Sequence, residues 1–178
     1  SSSAAPFLWF GYHRPSIGRR EGAAALLFKR SVQHSVGHPR NMGVVDGNEP
    51  VSPNDWERVK QQGDAAVERW IDDSLKYKRC VVVLIGSETA SRRWVKHEIK
   101  RAWELEKGLF GIHIHNLKCP RTGTSSKGAN PFSNCVVNGQ SMANLVNCYD
   151  PSAWDAYGDV SRNMSSWVAQ AIESAKYR

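Results

Sequence analysis

The sequence predicts an α/β protein of three layers, a central parallel sheet flanked by helices. Three observations carry this expectation. Helical and strand patterns alternate between residues 53 and 116 with short links, an order that implies parallel strands joined by right-handed crossovers. The run "CVVVLIG" (80–86) is apolar at every position before its glycine, as a strand covered on both faces requires. The chain closes on an amphipathic pattern that supplies a further covering helix.

Two amino-terminal segments compete for the first strand, "FLWFGYH" (7–13) and "AAALLFKR" (23–30); aromatic residues favour sheets, and the pattern leaves both open. Residues 1–22 are set apart as an amino-terminal segment and 23–178 as one domain. From Ser52 onward, Trp56, Val59, Ala66, Val67, Trp70, Ile71 and Leu75 recur at helical spacing, which predicts one helix with Gly63 as its weak point. After the strand 80–86, Ser87 to Ser91 offer capping oxygens. Val95, Ile99, Ala102 and Leu105 form an inward stripe, and Gly108 is read as the helix stop. "LFGIHIHN" (109–116) reads as a second strand. Residues 117–150, rich in Gly, Ser, Thr, Asn and Pro, read as a loop whose length suits a functional role. Met164, Trp167, Val168, Ala171 and Ile172 mark the terminal helix.

Composition narrows the partners. A formal charge of +7 favours anionic ligands such as nucleotides, while the basic residues are scattered rather than gathered into the dense stripe of a nucleic-acid reader. Nucleic acid is therefore not expected as a partner. Cys80, Cys119, Cys135 and Cys148 lack C-x-x-C spacing, consistent with reduced thiols in the cytoplasm. No apolar run approaches the roughly 18 residues of a membrane span, so no membrane association is expected.

Trp94 and Glu98, four apart on a predicted helix, lie on nearly one face, just past the carboxyl end of strand 80–86. That is where open α/β sheets bind ligands. Spacing alone leaves two readings: a functional carboxylate, or a solvated glutamate paired with Arg93 or Arg101 beside a packed tryptophan. Ser87 and Thr89 suit either a ribose or phosphate contact or a helix cap. His97 is expected to face solvent. His113 and His115 share a strand face and, with Cys119, invite a metal reading. Lacking a fourth ligand at a familiar spacing, they point to no metal. "SSKGANPF" (125–132) lacks the G-x-x-x-x-G-K-[ST] phosphate loop; Asn130 and Pro131 read as a turn anchored by Phe132. A receiver-like phosphoacceptor would need clustered acidic residues at strand ends, where Asp46 alone offers little.

In this order, "DWERVKQQGDAAVERWIDDSL", "VVVLIGSETASRRWVKHEI", "GLFGIHIHN" and "SSKGANPF" resemble the TIR-like domain of bacterial anti-phage Thoeris systems, the ThsB type, over roughly residues 40–177. The resemblance implies a flavodoxin-like, TIR-like arrangement. It also implies an NAD nucleosidase or ADP-ribosyl cyclase, in which Glu98 is catalytic and Trp94 positions its helix. NAD is then substrate rather than cofactor, and the product is a cyclic or linear ADP-ribose signal read by a downstream effector. Self-association accompanies it. The family's first strand reads approximately F-x-S-F-H-Y and lines the pocket. That motif is not intact here, which leaves Phe10, Tyr12 and His13 as the substrate-contacting candidates beside Trp94 and Ser87. The rival implied by the same resemblance is a non-catalytic TIR-like assembly module.

Overall fold

The structure is a computed structural model that describes residues 9–11, 58–76, 78–117 and 124–178. Among the described residues the main sheet has four strands: β1 (Trp9–Gly11), β2 (Cys80–Ile85), β3 (Gly108–His113) and β6 (Cys148–Tyr149), in the order β1-β2-β3-β6. β2, β3 and β6 are parallel, with Ile85 opposite His113 and Gly111 opposite Cys148. β1 departs from the all-parallel expectation. It pairs antiparallel with β2, Phe10 opposite Val82 and Gly11 opposite Val81, so the chain leaves β1 toward the amino end of β2. The 7–13 segment thus supplies a strand, while 23–30 lies outside the described residues.

Among the described residues, three helices cover the sheet: α1 (Asp64–Leu75), α2 (Arg93–Glu104) and α3 (Ala156–Ala175). Alternation along the strands sends Val81, Val83, Ile85 and Leu109 toward α1 and α2, and Cys80, Val82, Leu84, Phe110 and Ile112 toward α3. Every residue of β2 and β3 is buried, including the polar His113 at the end of β3. The two cores between them enclose Ile71, Leu75, Ile99 and Phe132 on one side and Val160, Met164, Val168 and Ala171 on the other.

Three local expectations need correction. The first helical segment does not run through Gly63: residues 58–61 are helical, Gly63 turns the chain at φ +93°, and α1 starts after it. A conformation that L side chains avoid decides the break. The oxygens of 87–91 do not cap α2, whose cap position is Arg92 and carries no side-chain cap bond. A short 3-10 turn, Thr89–Ser91, intervenes instead. Gly108 does not stop α2 either. The helix closes with Lys107 N–H on the Ala102 carbonyl and Glu106 N–H on the Trp103 carbonyl, Glu106 taking the left-handed conformation at φ 52°. Gly108 opens β3, where a side chain would press on the backbone of Ala171 and Ile172.

The 117–150 segment holds more order than its composition announces. It contains a 3-10 turn (Pro131–Asn134), a hairpin of β4 (Val136–Val137) and β5 (Gln140–Ser141), and a second 3-10 turn (Met142–Asn144), and it then supplies β6. Asn138 and Gly139 both take positive φ in the hairpin, and the Asn-Gly pair was the signal that marks it. The predicted Asn130–Pro131 turn is present: Phe132 N–H donates to Asn130 Oδ1 at 2.9 Å, and Phe132 is fully buried. Asn130→Ala is expected to cost about 1 kcal/mol, the usual worth of such a cap, measured as a lower urea midpoint at unchanged slope. Among the described residues, no helix is long and apolar enough to cross a membrane.

Candidate active site at the carboxyl ends of the strands

α2 follows β2 after the short Thr89–Ser91 turn, so its first two turns lie beside the carboxyl end of the sheet. Its buried face is Val95, Glu98, Ile99 and Ala102. Glu98 therefore points inward, among residues that an amphipathic helix reserves for the core. It is only 4% exposed, and its Oε1 makes no hydrogen bond among the described residues. Burial pushes its carboxyl well above the usual carboxylate range, because a desolvated site disfavours the charged form.

The two arginines offered as salt-bridge partners are engaged elsewhere. Arg101 makes a two-pronged contact with Asp72 on α1, at 2.7 and 3.0 Å, and reaches Glu104 at 2.6 Å. Arg93 pairs with Asp64 at the start of α1. The solvated-pair reading of Glu98 is thereby excluded, and the basic residues around it tie α2 to α1 instead. These pairs are partly exposed and individually weak, but two of them span the same helix interface.

Trp94, one turn before Glu98, is half-buried against the first core. The Arg93 guanidinium lies 4.6 Å from its ring centroid, and His97 meets it edge-on at 5.7 Å. His97 is consequently not the solvent-facing residue expected: its Nε2 is buried and makes no hydrogen bond among the described residues.

The rim is built by loops. Thr89 Oγ1 accepts from Gly86 N–H at 2.9 Å and donates to the Leu84 carbonyl at 3.2 Å, tying off β2; Ser87 beside it is exposed. The 125–132 segment crosses directly over this end. Gly128 is buried so closely that an added Cβ would fall 1.9 Å from the Gly86 carbonyl oxygen. Asn134 Nδ2 donates to the Ala90 carbonyl at 3.2 Å. Lys127 pairs with Asp150, which follows β6, and His115 Nε2 stands 3.6 Å from the same carboxylate. His113 closes β3 on the face that α2 covers, since it is two residues from Gly111, which packs against Ile85 and Phe132.

The remaining sequence candidates fall apart from this group or outside it. Phe10 lies in β1 opposite the middle of β2; Tyr12 and His13 lie outside the described residues. Asp150 was not foreseen, because the strand that carries it to the rim is two residues long and leaves no periodic signal. Among the described residues, no three His, Cys, Asp or Glu side chains converge as metal ligands. Burial pushes the Cys80 and Cys148 thiols up to about 12, which leaves them protonated and unreactive.

The arrangement is a buried, desolvated carboxyl beneath the carboxyl end of a parallel sheet. Two comparisons bear on its meaning. The family model described as Thoeris protein ThsB, TIR-like domain, matches residues 28–119, just over half of the chain. A Bacillus cereus (strain MSX-D12) protein named "Putative cyclic ADP-D-ribose synthase ThsB1" is 34% identical over 124 residues, covering 68% of this chain and 65% of that protein. The chain thus matches just under two thirds of that relative's length.

Proposed function

The chain belongs to the Thoeris ThsB TIR-like domain family, and from that membership we propose that it cleaves NAD between nicotinamide and ribose and closes the ADP-ribose moiety into a cyclic signal. The observation that carries this reading is Glu98, a carboxyl buried on the inner face of α2 whose Oε1 makes no hydrogen bond among the described residues. The name of the Bacillus cereus relative supports the product class.

The chemistry asks little else of the protein. In NAD the pyridinium is already cationic, and its charge next to Glu98 favours loss of the carboxyl proton to solvent. As the bond to ribose lengthens, positive charge passes from the ring to the anomeric carbon. The carboxylate stabilises that oxocarbenium-like state. Nicotinamide leaves neutral, so no general acid is needed. An internal nucleophile of the ADP-ribose then bonds to the anomeric carbon and releases its own proton; water in its place gives linear ADP-ribose. Trp94 holds the first turn of α2 against the core, and Ser87 lies on the rim where ribose hydroxyls would pass. Self-association and a downstream effector that reads the nucleotide complete the proposed role in anti-phage defence.

Incubation of the purified protein with NAD, with products separated and weighed by mass spectrometry, tests the reading. Nicotinamide together with a species one water lighter than ADP-ribose is expected. Absence of nicotinamide at high protein concentration and in extracts of phage-infected cells overturns it.

A further inference from the structure

The His113, His115, Lys127 and Asp150 group lies beyond the carboxyl that the proposed reaction uses. We infer that His113, His115 and Lys127 form a subsite for the diphosphate of a nucleotide at the carboxyl ends of β3 and β6, where Asp150 now holds the place of the anion. The inference deepens the NAD reading and rests on it for the identity of the nucleotide, not for the phosphate chemistry.

Five observations carry it. His113 is 7% exposed and His115 has 15% side-chain exposure, and the Nδ1 of each is buried without a hydrogen-bond partner among the described residues. Native interiors seldom leave such atoms unsatisfied without a functional reason. The rings meet edge-on at 6.0 Å, which keeps both imidazoles at one corner. Lys127 donates to the Asp150 carboxylate at 2.5 Å and His115 Nε2 stands 3.6 Å from its other oxygen, so the protein already gathers nitrogen groups around one anionic position. That pair is half exposed, Lys127 at 54% and Asp150 at 39%, and exposed pairs are weakly held. A diphosphate brings more charge and more acceptor oxygens than one carboxylate. The corner is also correctly placed: His113 is in register with Ile85, one residue before Gly86, and faces the side of the sheet that α2 covers.

Protonation supplies a signature. Burial, Lys127 and His115 hold His113 below the ordinary histidine range, against the pull of Asp150. A phosphate arriving beside it favours the imidazolium, so binding takes up protons.

The test is calorimetric titration of the full chain with ADP, and with adenosine as the phosphate-free control, in buffers of different ionisation heat. ADP is expected to bind at least about tenfold more tightly than adenosine, roughly the 1.4 kcal/mol of one decade, with net proton uptake. Lys127→Met and His115→Asn each weaken ADP and leave adenosine unchanged. Asp150→Asn separates a binding role from a structural one. Removing the competing carboxylate tightens ADP if the corner is a subsite, whereas a mere strut would weaken ADP in Asp150→Asn as in Lys127→Met. Equal affinity for ADP and adenosine, no binding of either, or the strut pattern overturns the inference. ADP binding of the expected pattern without NAD turnover removes the reaction but keeps the subsite. Turnover with an unchanged KM in Lys127→Met removes the subsite alone.

Discussion

Glu98→Gln lowers nicotinamide release from NAD by at least ~100-fold, the cost of removing one preorganised group aimed at developing charge. The amide keeps the shape of the side chain and loses only the charge it can acquire. In the wild type, kcat/KM rises about tenfold per pH unit below the raised Glu98 value and levels off above it, because the free protein must give up a proton that burial holds in place. The residual activity of Glu98→Gln lacks that slope. Stability moves the other way. The folded protein keeps the Glu98 proton that the unfolded chain releases, so wild-type stability declines as pH rises from the ordinary glutamate value through the raised one. Glu98→Gln abolishes this decline and is therefore no less stable than the parent at neutral pH, increasingly so above it. A lower thermal midpoint for Glu98→Gln, or undiminished nicotinamide release, contradicts the assignment.

Gly128→Ala costs about 3 kcal/mol, at the upper end for an inserted methyl group. The methyl would meet the carbonyl oxygen of Gly86 at 1.9 Å and its carbon at 2.6 Å. Both are backbone atoms at the end of a fully buried strand, so neither can swing aside as a side-chain tip would. The 125–132 segment must lift from β2, carrying Lys127 away from Asp150. Equilibrium unfolding in urea reads the loss directly. Ala129→Ser, at the exposed neighbouring position, is the control and shifts stability by less than about 0.5 kcal/mol. Equal behaviour of the two variants would mean that the loop does not rest on Gly86.

The parts of the fold legible in the sequence are those where burial writes a period. β2 is apolar throughout and β3 apolar up to His113 because helices cover both faces, and α2 and α3 show their inner stripes plainly. Elements fixed by backbone geometry were harder to see. Gly63 reads as a tolerated weak point until its positive φ is known, and Gly108 looks like a helix stop although a crowded strand start explains it. β6 is two residues long and takes its place through hydrogen bonds to β3, which no side-chain pattern records. For Glu98 the spacing with Trp94 was visible, but its orientation was not. A segment with Arg92, Arg93, Lys96 and Lys100 offers a glutamate many partners. That its arginine neighbours turn instead toward Asp64 and Asp72 depends on where α1 packs. Asp150 reached the rim through β6 and was invisible for the same reason as the strand.

The sheet also divides tolerance to change. Glu98, Trp94, His113 and the 125–132 crossing all belong to the layer built by α1, α2 and the Pro131–Asn134 turn, whereas the α3 layer is mainly aliphatic and aromatic packing, with Trp167 of α3 against Phe110 and Tyr149. Random substitution of the α3 face would accordingly alter how many molecules fold rather than what each folded molecule does. That helix is the natural place to attach labels, redesign packing or raise heat resistance while leaving the opposite layer undisturbed.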